Sequence, residues 1–163
     1  MTDAVRHVIR EALGRISERR FFQSERGYQG ALSSELKQLL GQNARIWPGN
    51  PIFEEEYQRR LRDHGLRIRP DLILHVPFER GTVSDRREGN FVVIELKRRA
   101  SPQQAFNEFD KLIRICRVLN YPMGVFINID TDQHYLSRYQ GDGADLILAF
   151  AVKLIHDTPM IRE

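Results

Sequence analysis

The chain has 163 residues, a length that suits one domain with its own core, and we expect residues 1–163 to form a single domain. Its composition, 41% hydrophobic and 29% charged, excludes disordered and fibrous proteins, and a net charge of +3 is too small for a polycation. No apolar run reaches the roughly 18–20 residues that span a bilayer, and the single cysteine, Cys116, allows no internal disulfide. We therefore expect a cytoplasmic protein without a membrane segment.

The N-terminal half is predicted to begin with two helices. Residues 4–19 carry one apolar stripe, which predicts an amphipathic helix that packs on the body of the domain or on a second copy, as in a homodimer. A second helix follows Ser24, a typical N-cap, and ends near Gly41. Ile52–Tyr57 then reads as a first strand, and 66–76 contains a second.

The second half alternates strands with one helix. Phe91–Leu96 predicts a third strand, joined to the second by the polar segment 78–90 as an antiparallel hairpin. Ser101 and Pro102 predict the start of a third helix, because serine caps helices and proline suits the first helical position. Met123–Ile129 and Leu146–Val152 are two further strands. This order predicts an α/β fold with a mixed central sheet flanked by helices.

Three charged residues on the predicted hairpin are the main candidates for chemistry. Asp71 opens the second strand, while Glu95 and Lys97 close the third. Side chains alternate along a strand, so Glu95 and Lys97 share one face. Residues facing each other in an antiparallel pair have a constant index sum, and the hairpin midpoint predicts a sum near 166 to 168. Asp71 is therefore expected opposite Glu95 or Lys97.

Two carboxylates on directly opposite residues of neighbouring strands repel each other unless a cation lies between them. A hard divalent ion such as Mg²⁺ takes oxygen ligands, commonly one or two carboxylates together with water and phosphate, with Mn²⁺ as a substitute. Lys97 is placed to stabilise charge that builds on a phosphate oxygen. These residue types together indicate hydrolysis of a phosphodiester.

Asp71, Glu95 and Lys97 resemble the motif of the PD-(D/E)xK nuclease superfamily, to which many restriction endonucleases and repair nucleases belong. The resemblance covers about residues 24–129. It implies a restriction endonuclease-like α-β-β-β-α-β core, here about 24–152, with an extra N-terminal helix. It also implies that Asp71, Glu95 and the backbone carbonyl of Leu96 bind Mg²⁺, that Lys97 assists the attacking water, and that the substrate is DNA.

The resemblance also implies a glutamate from the helix before the first strand, and two residues compete for this role. Glu25 projects into the apolar stripe of the second helix, with Gln29 one turn later on the same side. Glu35 lies toward the edge of the stripe. A carboxylate in an apolar stripe needs a partner, so Glu25 is the predicted catalytic carboxylate. Its alternative role is a first-turn acid that favours the helix dipole.

Positive charge is concentrated in the middle of the chain. Residues 59–99 hold 11 basic and 6 acidic side chains, and all but one of the basic residues are arginines, which bind phosphate in a bidentate manner. We expect part of this set to contact the DNA backbone, together with Gln104 of the third helix. The alternative is a solvated face. The predicted nucleic-acid-binding residues are Arg59, Arg60, Arg62, Arg67, Arg69, Arg98, Arg99 and Gln104.

The interpretation as a nuclease has alternatives. The Glu-x-Lys pattern also occurs at Glu35-Leu36-Lys37, which lies in a helix and follows no Pro-Asp strand. The alternative interpretation of Asp71, Glu95 and Lys97 is an exposed cluster of ion pairs across two strands, which contributes little to stability. A second hypothesis is a non-catalytic nucleic-acid-binding or scaffold subunit whose partner cuts or supplies target recognition. A third is a protein-interaction domain that self-associates through the first helix.

Overall fold

The computed structural model describes residues 2–42, 51–55, 69–77 and 89–163. Three α-helices lie in these ranges, and they are α1 (Thr2–Arg15), α2 (Glu25–Gln42) and α3 (Pro102–Leu119). Six strands of the described residues form one sheet, and they are β1 (Ile52–Glu55), β2 (Leu72–His75), β3 (Asn90–Arg98), β4 (Met123–Ile129), β5 (Ile147–Ile155) and β6 (Thr158–Arg162). The described residues therefore form the predicted α/β fold with a mixed sheet flanked by helices.

Strand order in the sheet follows chain order from β1 to β6. The pairs β1–β2, β2–β3 and β5–β6 are antiparallel, whereas β3–β4 and β4–β5 are parallel. The predicted antiparallel pairing of the second and third strands is confirmed, although most of the predicted connection at 78–90 lies outside the described residues. Helix α3 makes the crossover between the parallel strands β3 and β4.

Strand β6 has no counterpart among the predicted elements. It follows β5 through a two-residue turn at His156 and Asp157, with Ile155 paired to Thr158. Both turn residues have positive φ, 47° and 59°, the conformation that two-residue hairpin turns require. Asn-Gly and Asp-Gly are the usual signals for this turn, and His-Asp carries neither glycine nor asparagine, so the sequence pattern did not indicate the hairpin.

Two hydrophobic cores lie on opposite faces of the sheet. One core packs α1 and α2 against side chains such as Leu72, Ile94 and Leu96. The other packs α3 against Ile73, Val93 and Phe126. Because alternate residues of β3 enter different cores, Glu95, which lies between Ile94 and Leu96, belongs to the face that α3 covers.

The apolar stripe of α1 packs within the chain. Val5, Ile9 and Leu13 are buried in the same core as α2 and the sheet. The helix contacts α2 and β6, and its predicted extent of 4–19 is corrected to Thr2–Arg15, followed by a 3-10 turn at Arg19–Gln23. The stripe is therefore an internal packing surface, which is the first of the two predicted roles, and self-association stays a prediction.

Buried Asn128 ties the end of β3 to the start of α3. Its side-chain oxygen accepts a hydrogen bond of 2.9 Å from the N–H of Ala100, and its nitrogen donates one of 2.8 Å to the carbonyl of Gln133. Ala100 directly precedes Ser101, whose hydroxyl accepts the N–H of Gln104 and so caps α3. Asn128 thus sets where α3 begins relative to the end of β3.

The Asn128→Ala variant is expected to lose about 1–3 kcal/mol of unfolding free energy, because it leaves the buried N–H of Ala100 without a partner. Urea denaturation followed by circular dichroism measures this loss. The control is Asn107→Ala, which removes an exposed asparagine of α3 and should change stability by less than about 0.5 kcal/mol. Equal losses in the two variants would contradict the structural role of Asn128.

Within the described ranges, no helix is long and apolar enough to cross a membrane.

Candidate functional site

The candidate site lies where β2 begins and β3 approaches its end. Leu72 faces Ile94, and Ile73 faces Val93, so the index sum is 166 and the predicted register is confirmed. This register brings Asp71 opposite Glu95. The backbone N–H of Leu96 donates a hydrogen bond of 2.7 Å to Oδ2 of Asp71, which joins the two strand ends through a carboxylate.

Gln29 of α2 binds the backbone of Asp71. Its side-chain amide is buried and donates a hydrogen bond of 2.9 Å to the backbone carbonyl of Asp71. The backbone of Asp71 is therefore held by α2, while its carboxylate is held by β3. These two contacts leave the Asp71 side chain few alternative orientations.

Glu95 is buried on the face of the sheet that α3 covers. Only 2% of its side chain is exposed, and Nζ of Lys111, from α3, lies 2.8 Å from its Oε1. The carboxyl groups of Asp71 and Glu95 also interact with each other across the two strands. Two carboxyl groups thus meet in a largely desolvated place, with one ammonium group beside them.

Burial raises the pKa of both carboxyl groups above their ordinary values. For Asp71, burial outweighs the hydrogen bond from Leu96 and the attraction of Lys97, which lower its pKa. For Glu95, burial outweighs the attraction of Lys111, and repulsion from Asp71 adds to it, so that the pKa rises to about 8. Burial also opposes the charge of Lys111, but Glu95 and Glu108 attract it more strongly and raise its pKa.

Five charged side chains form a continuous row, here called the charged row. Lys97 Nζ lies 3.8 Å from Oε2 of Glu25 and 3.5 Å from Oε1 of Glu108. Glu108 in turn contacts Lys111 at 3.3 Å, and Lys111 contacts Glu95. In order, the row consists of Glu25, Lys97, Glu108, Lys111 and Glu95.

The charged row and Asp71 together carry excess negative charge. Four carboxyl groups face two ammonium groups, which gives a formal charge of −2 when all six are ionised. No three His, Cys, Asp or Glu side chains of the described residues converge tightly enough to hold a metal by themselves. The oxygen donors nevertheless suit Mg²⁺, which commonly uses one or two carboxylates and completes its shell with water and phosphate.

Of the two candidate helix glutamates, Glu25 lies at the site. Its Oε1 accepts a hydrogen bond of 3.0 Å from the N–H of Arg98, and its Oε2 faces Lys97. Glu35 instead forms an ion pair of 3.7 Å with Arg15 of α1. The position of Glu25 matches the prediction, and its catalytic role stays a prediction.

Arg98 and Arg99 converge on one carboxylate. Both guanidinium groups contact Oδ2 of Asp130, at 2.9 and 2.8 Å. Arg98 also donates from Nε to the carbonyl of Phe22 and so links the 3-10 turn to the ends of β3 and β4. Arg98 is therefore engaged inside the fold, whereas the side chain of Arg99 remains 64% exposed. Phosphate contact by these two residues stays a prediction.

The other residues predicted to bind nucleic acid lie in different environments or outside the described residues. Gln104 closes a capping box, in which its Oε1 accepts the N–H of Ser101 at 2.8 Å. Arg69 is exposed just before β2. The remaining four predicted contacts lie outside the described residues, and they are Arg59, Arg60, Arg62 and Arg67.

Sequence reasoning missed Glu108 and Lys111. Both flank the inward stripe of α3, which contains Phe109 and Leu112. A helix that follows a strand and runs back over it has its first turns above the end of that strand. Charged residues in the first turns of α3 are therefore candidates for a site at the end of β3. The i, i+3 spacing of Glu108 and Lys111 by itself does not distinguish a site from a solvated helix face, because such charge pairs are common on helix surfaces.

Removing the Glu95 carboxyl is expected to flatten the pH dependence of stability. The pKa of Glu95 rises from 4.5 to about 8 on folding, so between these values the folded chain keeps a proton that the unfolded chain releases. This contribution stabilises the fold below pH 4.5 and is lost as the pH rises to about 8. The slope from this one group is at most about 1.4 kcal/mol per pH unit.

The measurement is urea denaturation between pH 4.5 and 8.5 in EDTA for the unchanged chain, Glu95→Gln and the control Glu35→Gln. We expect the glutamine at 95 to remove part of the pH-dependent loss, while the control retains it. If all three chains lose stability with the same slope, Glu95 does not titrate in the way that its burial indicates.

No protein-family model, curated protein or solved structure matches this chain.

Proposed function

We propose that this chain is a divalent-metal-dependent DNA endonuclease with a restriction endonuclease-like core. The observation that carries the proposal is the strand register that sets Asp71 opposite Glu95, two carboxyl groups that burial makes costly to ionise. A cation between them removes this cost, whereas ion pairing on a surface does not require the groups to be buried. The chemistry of the donors supports Mg²⁺, with Mn²⁺ as its substitute.

In the proposed site, Asp71, Glu95 and the backbone carbonyl of Leu96 hold the metal. The N–H of Leu96 already binds Asp71, so the backbone at this residue lies against the carboxylate. Bound Mg²⁺ supplies positive charge at the phosphate. Hydrolysis forms a bond between a water oxygen and phosphorus and breaks the bond to the leaving oxygen; the attacking water releases one proton and the leaving oxygen takes up one.

Lys97 is proposed to orient the attacking water and to stabilise charge on the phosphate. Its ammonium lies 3.8 Å from Glu25 and 3.5 Å from Glu108, so two carboxylates attract it at the end of β3. Glu25 also binds the N–H of Arg98 and thereby fixes the backbone next to Lys97. We propose Glu25 as the glutamate that keeps Lys97 in place.

Plasmid cleavage tests the proposal. Purified protein is incubated with supercoiled, linear and branched DNA in Mg²⁺ or Mn²⁺, with EDTA as the control. Cleavage that depends on either metal supports the nuclease. Salt-sensitive DNA binding without cleavage in any metal would instead identify the alternative, a non-catalytic subunit of the same fold. Size-exclusion chromatography in the same buffers shows whether the chain forms a homodimer.

A further inference from the structure

Lys111 of α3 lies beside the buried carboxylate of Glu95, although it does not belong to the predicted motif. Its Nζ lies 2.8 Å from Oε1 of Glu95, and 36% of its side chain is exposed, against 2% for Glu95. The ammonium therefore stands between a buried carboxylate and solvent. A cation that binds this oxygen of Glu95 is therefore repelled by the nearby charge of Lys111.

The helix also provides a second anchor for Lys111. Glu108 precedes it by one turn of α3 and contacts Nζ at 3.3 Å through Oε2. The other oxygen of Glu108 faces Lys97 at 3.5 Å. Glu108 thus holds both lysines of the charged row, and Lys111 retains a carboxylate partner if it leaves Glu95.

A divalent cation and an ammonium group cannot both occupy the same side of one carboxylate oxygen without repulsion. Since the proposed metal ligands include Glu95, metal binding and the ion pair between Lys111 and Glu95 compete. The long, flexible lysine side chain is the partner that can move, because Glu95 belongs to a central strand.

We propose that Lys111 is the resident counter-cation of the Asp71–Glu95 pair and is displaced toward the substrate phosphate on metal binding. This inference rests on the proposed function. Glu108 keeps the displaced ammonium beside the site, where it contacts a non-bridging phosphate oxygen. Lys111 therefore weakens metal binding in the free protein and assists the reaction once DNA is bound.

Lys111 is thus expected to oppose metal binding but to favour cleavage. Its removal should therefore change these two measurements in opposite directions, whereas a loss of structure would lower both. Removing the charge with Lys111→Met is expected to tighten Mn²⁺ binding about tenfold when binding is measured near pH 8.5, where Glu95 of the unchanged chain is ionised and the ammonium is its competing cation. The same variant is expected to lower kcat for DNA cleavage about 100-fold, because a donor to the phosphate is missing. A variant that is merely misfolded loses both metal binding and cleavage.

The experiment titrates Mn²⁺ into the full chain without DNA and follows free Mn²⁺ by electron paramagnetic resonance. Lys111→Arg keeps the charge and should bind Mn²⁺ as the unchanged chain does. Lys153→Met removes a positive charge from an exposed position on β5 and controls for overall charge. If Lys111→Met does not fold, Lys111→Gln serves the same comparison with a neutral polar side chain.

Mn²⁺ binding that tightens in Lys111→Met and in neither control supports the proposal. Unchanged or weaker binding in that variant overturns it, and so does an absence of Mn²⁺ binding in every chain. An unchanged kcat in Lys111→Met would overturn the contact with phosphate. The metal titration needs no cleavage, so failure of the proposed nuclease, seen as an inactive unchanged chain, is read separately from failure of this inference.

Discussion

The Lys97→Met variant is expected to cleave supercoiled DNA in Mg²⁺ about 100- to 1,000-fold more slowly than the unchanged chain. Methionine keeps most of the length of the side chain and removes the ammonium that faces Glu25 and Glu108. Rates of plasmid nicking under single-turnover conditions measure the loss. Because Lys97 is partly exposed, the fold should survive the substitution, and circular dichroism verifies this.

The chain contains a matched control for this prediction. Glu35-Leu36-Lys37 repeats the Glu-x-Lys pattern on α2, where Lys37 forms an exposed ion pair of 3.4 Å with Glu55. Lys37→Met therefore removes the same charge from the same short pattern outside the site, and we expect cleavage to remain within about twofold of the unchanged rate. Equal rates for Lys97→Met and Lys37→Met would remove Lys97 from the reaction.

Replacing Phe109 with alanine is expected to lower the free energy of unfolding by about 3–5 kcal/mol. Phe109 lies on the inward stripe of α3 and is fully buried. Its ring meets those of Phe126 and Tyr139 edge to face, each at 5.2 Å between centroids. The substitution removes these contacts and leaves a cavity between α3 and the sheet. Urea denaturation measures the loss.

Phe106 provides the control for Phe109. It lies on the same helix, is only partly buried, and its ring centroid lies 6.2 Å from that of Phe109. Phe106→Ala should cost about 1 kcal/mol. Because α3 also carries Glu108 and Lys111, we expect the Phe109 variant to lose cleavage as well. Equal destabilisation by the two variants would contradict the packing described for α3.

The strand register shows how far local patterns can determine a site. Asp71 and Glu95 lie on two apolar runs of strand length, and a hairpin relates their positions through a constant index sum. The sum found, 166, lies within the predicted range, although the connection itself lies mostly outside the described residues. The sequence was sufficient here because alternation along a strand leaves only two choices of face.

Arg98 shows where local patterns were insufficient. Its place in the basic segment predicts a phosphate contact, which stays a prediction, but gave no indication that its guanidinium binds Asp130 and the carbonyl of Phe22. Asp130 follows β4, and Phe22 precedes α2, so both partners are distant in the chain. The same limit applies to β6, whose turn carries no glycine or asparagine to mark it.

Local residue order by itself determined the α/β class, the paired strands and the convergence of Asp71 with Glu95, because periodicity and register act over short distances. Only the tertiary structure decided which charges meet. Glu108 and Lys111 reach the site because α3 folds back over β3, and Glu25 faces Lys97 because the first residue of α2 lies beside the end of β3. Ion pairs between separate elements depend on how those elements pack, and the order of residues along the chain does not reveal that packing directly.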